Sequence, residues 1–257
     1  MSYTAADRDF INPCTLQLYC NSNAHLLTAP PSAFVLEFPG LGGGSCMGGT
    51  AELAPYGHLL APDLAEQGIL LAYTFPGPWS WMNRSGVRVI NALVAAIREA
   101  YGLTEATPWA VMGGSMGGLG ALIYAAAGAY TPTACLSVCP CVDVPACYPC
   151  VPDIPRTLFC AVADLELPIA EGLKTISPRH RVADMPHIPY HIVCDCADAL
   201  FPEEMTDAYV DELRAAGHTV TYHRLAGCPH GAITEAEWAA IRAFLTGHLC
   251  PGHLCRA

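Results

Sequence analysis

The sequence predicts an α/β fold, a mostly parallel sheet flanked by helices, and three observations carry the prediction. Segments of strand character alternate with segments of helical spacing through most of the 257 residues. Hydrophobic residues make up 53% of the chain and charged residues only 14%. That balance suits strands buried on both faces, because a parallel sheet has to be covered on each side. Between one such strand and the helix after it stands Gly113-Gly114-Ser115-Met116-Gly117, a serine framed by glycines.

The elements follow in order. Residues 15–20 and 24–28 read as antiparallel edge strands. Ala33–Phe38 (AFVLEF) is a continuous apolar run, ended by Pro39-Gly40. Residues 51–67 read as a helix broken near Pro55 and Pro62, and 69–75 as a strand closed by Pro76-Gly77-Pro78. Across 85–101, Val89, Leu93, Ala96, Ile97 and Ala100 fall at helical spacing, and Gly102 is the stop. A strand at 108–112, a helix of small apolar residues at 119–127 and a strand at 133–138 come next.

From 139 to 189 periodicity fades. Pro and Cys are frequent and helical patches such as 169–175 are short. This stretch reads as a short lid-like insertion in a single domain spanning 1–257. Regularity returns with a strand at 190–194, a helix at 202–216 stopped by Gly217, and a strand at 219–225. The last helix starts at Thr234, with Glu237 three residues on as a capping box, and runs to about Leu245.

The serine motif carries the chemistry. A serine on a sharp strand-to-helix turn is held in a strained conformation with its hydroxyl exposed, and the helix N-terminus behind it favours developing negative charge. Flanking side chains would collide there, so positions 113 and 117 must be glycine or similarly small. Acyl transfer also needs two N–H donors for the oxyanion. Met116, directly after the serine, offers one. The glycine-rich turn Pro39-Gly40-Leu41-Gly42-Gly43-Gly44 offers the other, at Leu41 or its neighbour Gly42. That turn lacks the Lys and Ser/Thr of a phosphate loop, so no nucleotide is expected.

Downstream, Asp195 and Asp198 follow the strand at 190–194, and His230 lies between Pro229 and Gly231. The order Ser115, Asp198, His230 is that of a Ser-Asp-His triad on an α/β sheet, with Asp195 as the competing acid. Trp79, Trp81, Met116, Leu200 and Phe201 are candidates for an apolar substrate pocket. His187 and His191 are separated by Pro189, cannot share one helical face, and are read as structural.

On these motifs the chain resembles the α/β-hydrolase superfamily over residues 33 to 247. More narrowly it looks like the prolyl oligopeptidase-related hydrolases and their small esterase relatives. The stretches that carry this are the Ser115 turn, residues 76–83 (PGPWSWMN), 177–189, 198–202, Gly217-His218 and 229–231. The resemblance implies the α/β-hydrolase fold with an eight-stranded sheet, the second strand antiparallel, and the triad named above. Such relatives usually carry Gly where this chain has Asp195, which keeps Asp195 open as a substitute acid. Peptidase relatives bear a large N-terminal propeller for which this chain has no room. The expectation is therefore a carboxylic ester hydrolase acting on a small-molecule ester, with a small peptidase or amidase, or a non-catalytic binding module, as alternatives.

The formal charge of −11 argues against a nucleic-acid partner. No apolar stretch reaches the length of a membrane span, and residues 1–10 carry Asp7, Arg8 and Asp9 instead of a signal core, so a cytoplasmic location without a membrane partner is expected. The 14 cysteines then read as free thiols. The repeated tail GHLC-PGHLC offers His248, Cys250, His253 and Cys255, but their spacing matches no zinc pattern. No cofactor and no metal are expected. Composition leaves the oligomeric state open.

Overall fold

A computed structural model describes residues 5–41, 57–149 and 154–250. Its sheet contains β1 (Cys20–Ser22), β2 (Ala33–Phe38), β3 (Ile69–Thr74), β4 (Trp109–Gly114), β5 (Ala134–Val138), β6 (Tyr190–Asp195) and β7 (Val220–Leu225). Their spatial order is β1-β3-β2-β4-β5-β6-β7. All neighbours run parallel except β1, which lies antiparallel on β3. Every residue of β2 through β6 is buried, the polar Glu37, Thr74, Ser137, His191 and Asp195 among them, as a parallel sheet covered on both faces requires.

The described sheet has seven strands where eight were expected. The difference lies at the N-terminal edge. Residues 15–20 and 24–28 are mostly 3-10 turns, Leu16–Leu18 and Ala24–Leu26, around the three-residue β1. The buried side chain of Asn23 stops that strand. Its Oδ1 accepts from the Leu71 N–H at 2.8 Å, and its amide donates to the carbonyls of Ala61 and Ile69 at 2.9 and 3.2 Å. A side chain that takes up these backbone groups leaves no ladder for a longer hairpin.

Helices cover both faces. They are α1 (Ala5–Phe10), α2 (Gly57–Glu66), α3 (Arg84–Tyr101), α4 (Met116–Ala127), α5 (Val144–Cys147), α6 (Ile154–Val162), α7 (Ile169–Thr175), α8 (Glu203–Ala215) and α9 (Glu235–Leu249). On one face Ile90, Leu93 and Ile97 of α3, Leu119 and Leu122 of α4 and Leu213 of α8 join a core with Phe34, Leu36 and Val111. On the other, Leu60 and Leu64 of α2 and Trp238, Ile241 and Leu245 of α9 pack with Val35, Leu71 and Val193. Alternate strand residues thus feed opposite cores.

The 139–189 insertion is more helical than expected, with α5, α6, α7 and a 3-10 segment Pro178–Asp184. Leu158, Ala161, Leu173 and Ile176 are buried in the α3/α4 core, so apolar packing orders it. No described helix is long and apolar enough to cross a membrane. Gly42, the start of the 51–67 helix, Cys150 and the tail beyond Cys250 lie outside the described residues.

Candidate active site

The parallel register brings the C-terminal strand ends to one rim. Phe38 sits beside Gly113, Gly114 beside Val138, and Asp195 beside Leu225. Ser115 follows β4 at this rim and is the N-cap of α4, with φ 58° and ψ −123°. A non-glycine residue in that region costs on the order of 1–3 kcal/mol. The turn is held by Ser115 N–H to the Val138 carbonyl at 2.9 Å and Leu119 N–H to the Ser115 carbonyl at 3.0 Å. The glycines are there because nothing larger fits. A Cβ on Gly113 would lie 2.5 Å from the Gly117 carbonyl carbon, and one on Gly117 would fall on the Phe38 carbonyl.

Asp198 and His230 come together from the loops after β6 and β7. His230 Nδ1 and Asp198 Oδ2 are 2.6 Å apart. The other carboxylate oxygen accepts from the N–H groups of Leu200 and Phe201 at 2.7 and 3.1 Å. One oxygen thus fixes the turn into α8 while the other meets the imidazole. The two loops are also joined by Ala197 N–H to the Cys228 carbonyl at 3.0 Å. Phe201 meets the His230 ring edge-on, with centroids 5.3 Å apart. With Nδ1 engaged by the carboxylate, the imidazole presents Nε2 as an acceptor.

Asp195, the competing acid, serves the histidine loop without touching the imidazole. Its Oδ2 accepts from Gly231 N–H at 2.6 Å. Its carboxyl is pushed up by burial, and the Gly231 hydrogen bond opposes that shift. Between these groups and Ser115 lies a residue that sequence reading missed. The buried thiol of Cys139 lies against backbone groups of Ser115 and Gly231 and faces Asp195 and Asp198. Its Sγ, the Asp198 carboxylate and the His230 imidazole all lie within 4.8 Å of one another. Cys139 thus ties the serine turn to the Asp-His pair. Burial, with the Asp195 charge next, raises its thiol far above the ordinary range, so it is a protonated spacer. Its signal in the sequence was its place directly after β5.

A cleft of about 230 Å³ opens beside the turn, lined by Gly40, Leu41, Phe75, Trp79 and Met116 among others. Gly40 sits close, an ideal Cβ there lying 3.8 Å from Ser115 Cβ. Leu41 and Met116 therefore flank one space next to the serine. Trp79 lines the cleft and its ring lies 5.3 Å under the Arg156 guanidinium. Trp81 does not line it. Its ring is buried and its indole N–H donates to Thr157 Oγ1 at 2.9 Å, so a large aromatic with a satisfied donor belongs to the core. Leu200 is exposed, and Phe201 is buried against His230. Trp79, Trp81 and Met82 all have positive φ, a bend that the sequence did not signal.

The fold, taken as a whole, is shared with solved structures. Est1E from Butyrivibrio proteoclasticus superposes with a TM-score of 0.64 at 15% identity, over 90% of this chain and 93% of that one. Esterase B from Lactobacillus rhamnosis gives 0.64 at 13%, over 86% and 76%. The fold is that of the α/β-hydrolases. A puromycin-hydrolyzing peptidase of Mycobacterium tuberculosis shares this α/β-hydrolase fold with a TM-score of 0.65 at 17% identity, and the match covers 86% of this chain but only 35% of the peptidase. No protein-family model matches the sequence, and no curated protein does either.

The two aspartates predict different variants. In a Ser-Asp-His mechanism, Asp198→Asn should cut hydrolysis by about 10³-fold or more, because an amide both loses the charge and mis-sets the imidazole tautomer. Asp195→Asn keeps an acceptor for Gly231 N–H and should stay within about tenfold of wild type. Its stability should also respond to pH. The folded-state pKa of Asp195 lies above the ordinary carboxylate value of 3.8, so its contribution is full below that value and is lost as pH rises through the raised one. The melting temperature of Asp195→Asn relative to wild type should therefore be higher at pH 7 than at pH 4. A larger activity loss in Asp195→Asn than in Asp198→Asn would exchange the two roles.

Proposed function

We propose that the chain is a serine hydrolase that cleaves carboxylic esters through an acyl-enzyme intermediate. The observations that carry this reading are the strained Ser115 at the strand rim and an imidazole whose Nδ1 is engaged by a buried carboxylate, with Cys139 lying against the Ser115 backbone and within 4.8 Å of the Asp-His pair. In the first half-reaction Ser115 Oγ attacks the ester carbonyl and His230 Nε2 takes its proton. The tetrahedral oxyanion is held by the Met116 N–H, free at the start of α4, and by the Leu41 N–H. His230 then protonates the departing alkoxide and the ester C–O bond breaks. In the second half, water gives a proton to His230, attacks the acyl carbon and releases the acid, and Ser115 recovers its proton. Asp198 holds the imidazole orientation and stabilises the imidazolium throughout.

The side chains that line the cleft, Leu41, Phe75, Trp79 and Met116 among them, carry no charge. That favours an uncharged apolar group on the substrate and supports an ester over a peptide bound by its amino terminus. The protein is expected to label with a fluorophosphonate probe on the peptide containing Ser115 and to hydrolyse p-nitrophenyl acetate and butyrate. It should act weakly on aminoacyl- and prolyl-nitroanilides, whose amine needs fuller protonation to leave. Faster turnover of the anilides would make it a peptidase or amidase. Absence of both labelling and turnover would leave a binding module on this scaffold.

A further inference from the structure

On the α2/α9 face of the sheet, away from the serine turn, three metal-ligating side chains converge from three different elements. His191 of β6 approaches Glu237 of α9 with Nε2 2.7 Å from Oε1. His223 of β7 approaches the same carboxylate from its other oxygen, with Nδ1 2.6 Å from Oε2. The two imidazole rings stand 4.8 Å apart at 72°, and Phe244 packs against His191. All three donor atoms lie within 4.8 Å of one another. His191 and Glu237 are almost wholly buried, while the His223 side chain is 37% exposed.

We propose that His191, His223 and Glu237 bind a zinc-class divalent ion that fastens the two ends of the loop carrying His230. Two imidazoles and one carboxylate are a donor set of borderline softness. It suits Zn²⁺ or Co²⁺ and is too poor in oxygen for Ca²⁺ or Mg²⁺. A tetrahedral ion with bonds near 2.05 Å needs donors roughly 3.3 Å apart. The two His–carboxylate contacts, made to different oxygens of Glu237 at 2.7 and 2.6 Å, would open by about 0.6–0.7 Å, and the two imidazole donors, within 4.8 Å of each other, would close by up to about 1.5 Å. Water completes the coordination through the partly exposed His223 side. The placement also has a structural meaning. His223 lies two residues before the end of β7, and Glu237 is the third residue of α9. Between them run residues 226–234, which include His230. An ion held at both ends, and to β6 through His191, limits how far that loop strays from Asp198.

The sequence pattern hid this site. Glu237 was read as half of a capping box. Its N–H does donate to Thr234 Oγ1 at 3.2 Å, but its carboxylate is engaged by the two histidines.

The test uses the full-length protein, stripped with a chelator under reducing conditions and then titrated with ZnSO₄ or CoCl₂. Because other cysteines and histidines can take up zinc, the decisive quantity is a difference in stoichiometry. Wild type is expected to bind one more ion per chain than either His223→Ala or Glu237→Gln. A hundredfold excess of Zn²⁺ over Kd should raise the wild-type melting temperature by about 5–10 °C, and that rise should be lost in His223→Ala, whose substitution at a partly exposed edge position leaves the fold intact by circular dichroism. The Co²⁺ form should show tetrahedral visible bands without thiolate charge-transfer absorption. Equal stoichiometry in wild type and both variants, or a Co²⁺ spectrum dominated by thiolate, would overturn the proposal. None of these readouts depends on hydrolysis, so they stand apart from the esterase reading.

Discussion

Ser115→Ala is expected to lower ester turnover by about 10⁵-fold, to abolish fluorophosphonate labelling and to leave the fold unchanged. In the proposed mechanism alanine removes the atom that attacks the ester carbonyl. The N–H groups at Met116 and Leu41 remain, so substrate binding survives and the loss appears in kcat more than in KM. A second substitution separates chemistry from strain. Ser115→Gly should be equally inactive yet more stable than Ser115→Ala by about 1 kcal/mol, or roughly 2–4 °C in Tm, because glycine adopts φ 58° freely. Turnover by Ser115→Ala within tenfold of wild type would remove Ser115 from the mechanism. Equal melting of the two variants would mean that the turn stores no strain.

Gly117→Ala is expected to destabilise the protein by about 3 kcal/mol or more and to lower Tm by about 10 °C. The added methyl would fall on the Phe38 carbonyl oxygen, with the Phe38 carbonyl carbon at 2.8 Å and the Pro39 oxygen at 2.9 Å. These are backbone atoms of β2 and its following turn, and no rotamer change moves them aside. Relief requires α4 to shift from the sheet, which also displaces Ser115. Gly247 is the contrast. It lies within α9 with no atom near its would-be Cβ, so Gly247→Ala should stabilise by about 1 kcal/mol through helix propensity alone. Thermal unfolding of both variants checks the pair, and a Gly117→Ala melting point within 2 °C of wild type would refute the packing argument.

Much of the fold was legible because its central strands are largely apolar. Ala33–Phe38 was read at both ends as it stands. β4 runs two residues further than read, to Gly114, because glycines that look like a turn in the sequence are still paired with β5. Likewise α4 starts at Met116, not at 119. Gly117, Gly118 and Gly120 are weak helix formers, but close packing on β2 and β5 overrides that preference. The candidate site was legible as a set of residue types in order on strand-end loops. What periodicity could not give was adjacency across strands. Cys139 is one case. His191 is the other, since it meets His223 only because β6 and β7 pair with Val193 opposite His223. The N-terminal edge was misread because the contacts of the Asn23 side chain, over sequence distances of 38 to 48 residues, leave no trace in local pattern.

The outer strands also bear on how readily the sheet could pair with another molecule. β1 is only three residues long, which gives a neighbouring molecule little to pair with. β7 carries Arg224, whose guanidinium reaches Glu203 at 2.7 Å and Asp207 at 3.5 Å on α8. Extending the sheet past β7 with a foreign strand would disturb these charges and strip their water. Neutralising Arg224 and its two acidic partners together would take away that guard, and intermolecular stacking at the open border would become the cheaper path.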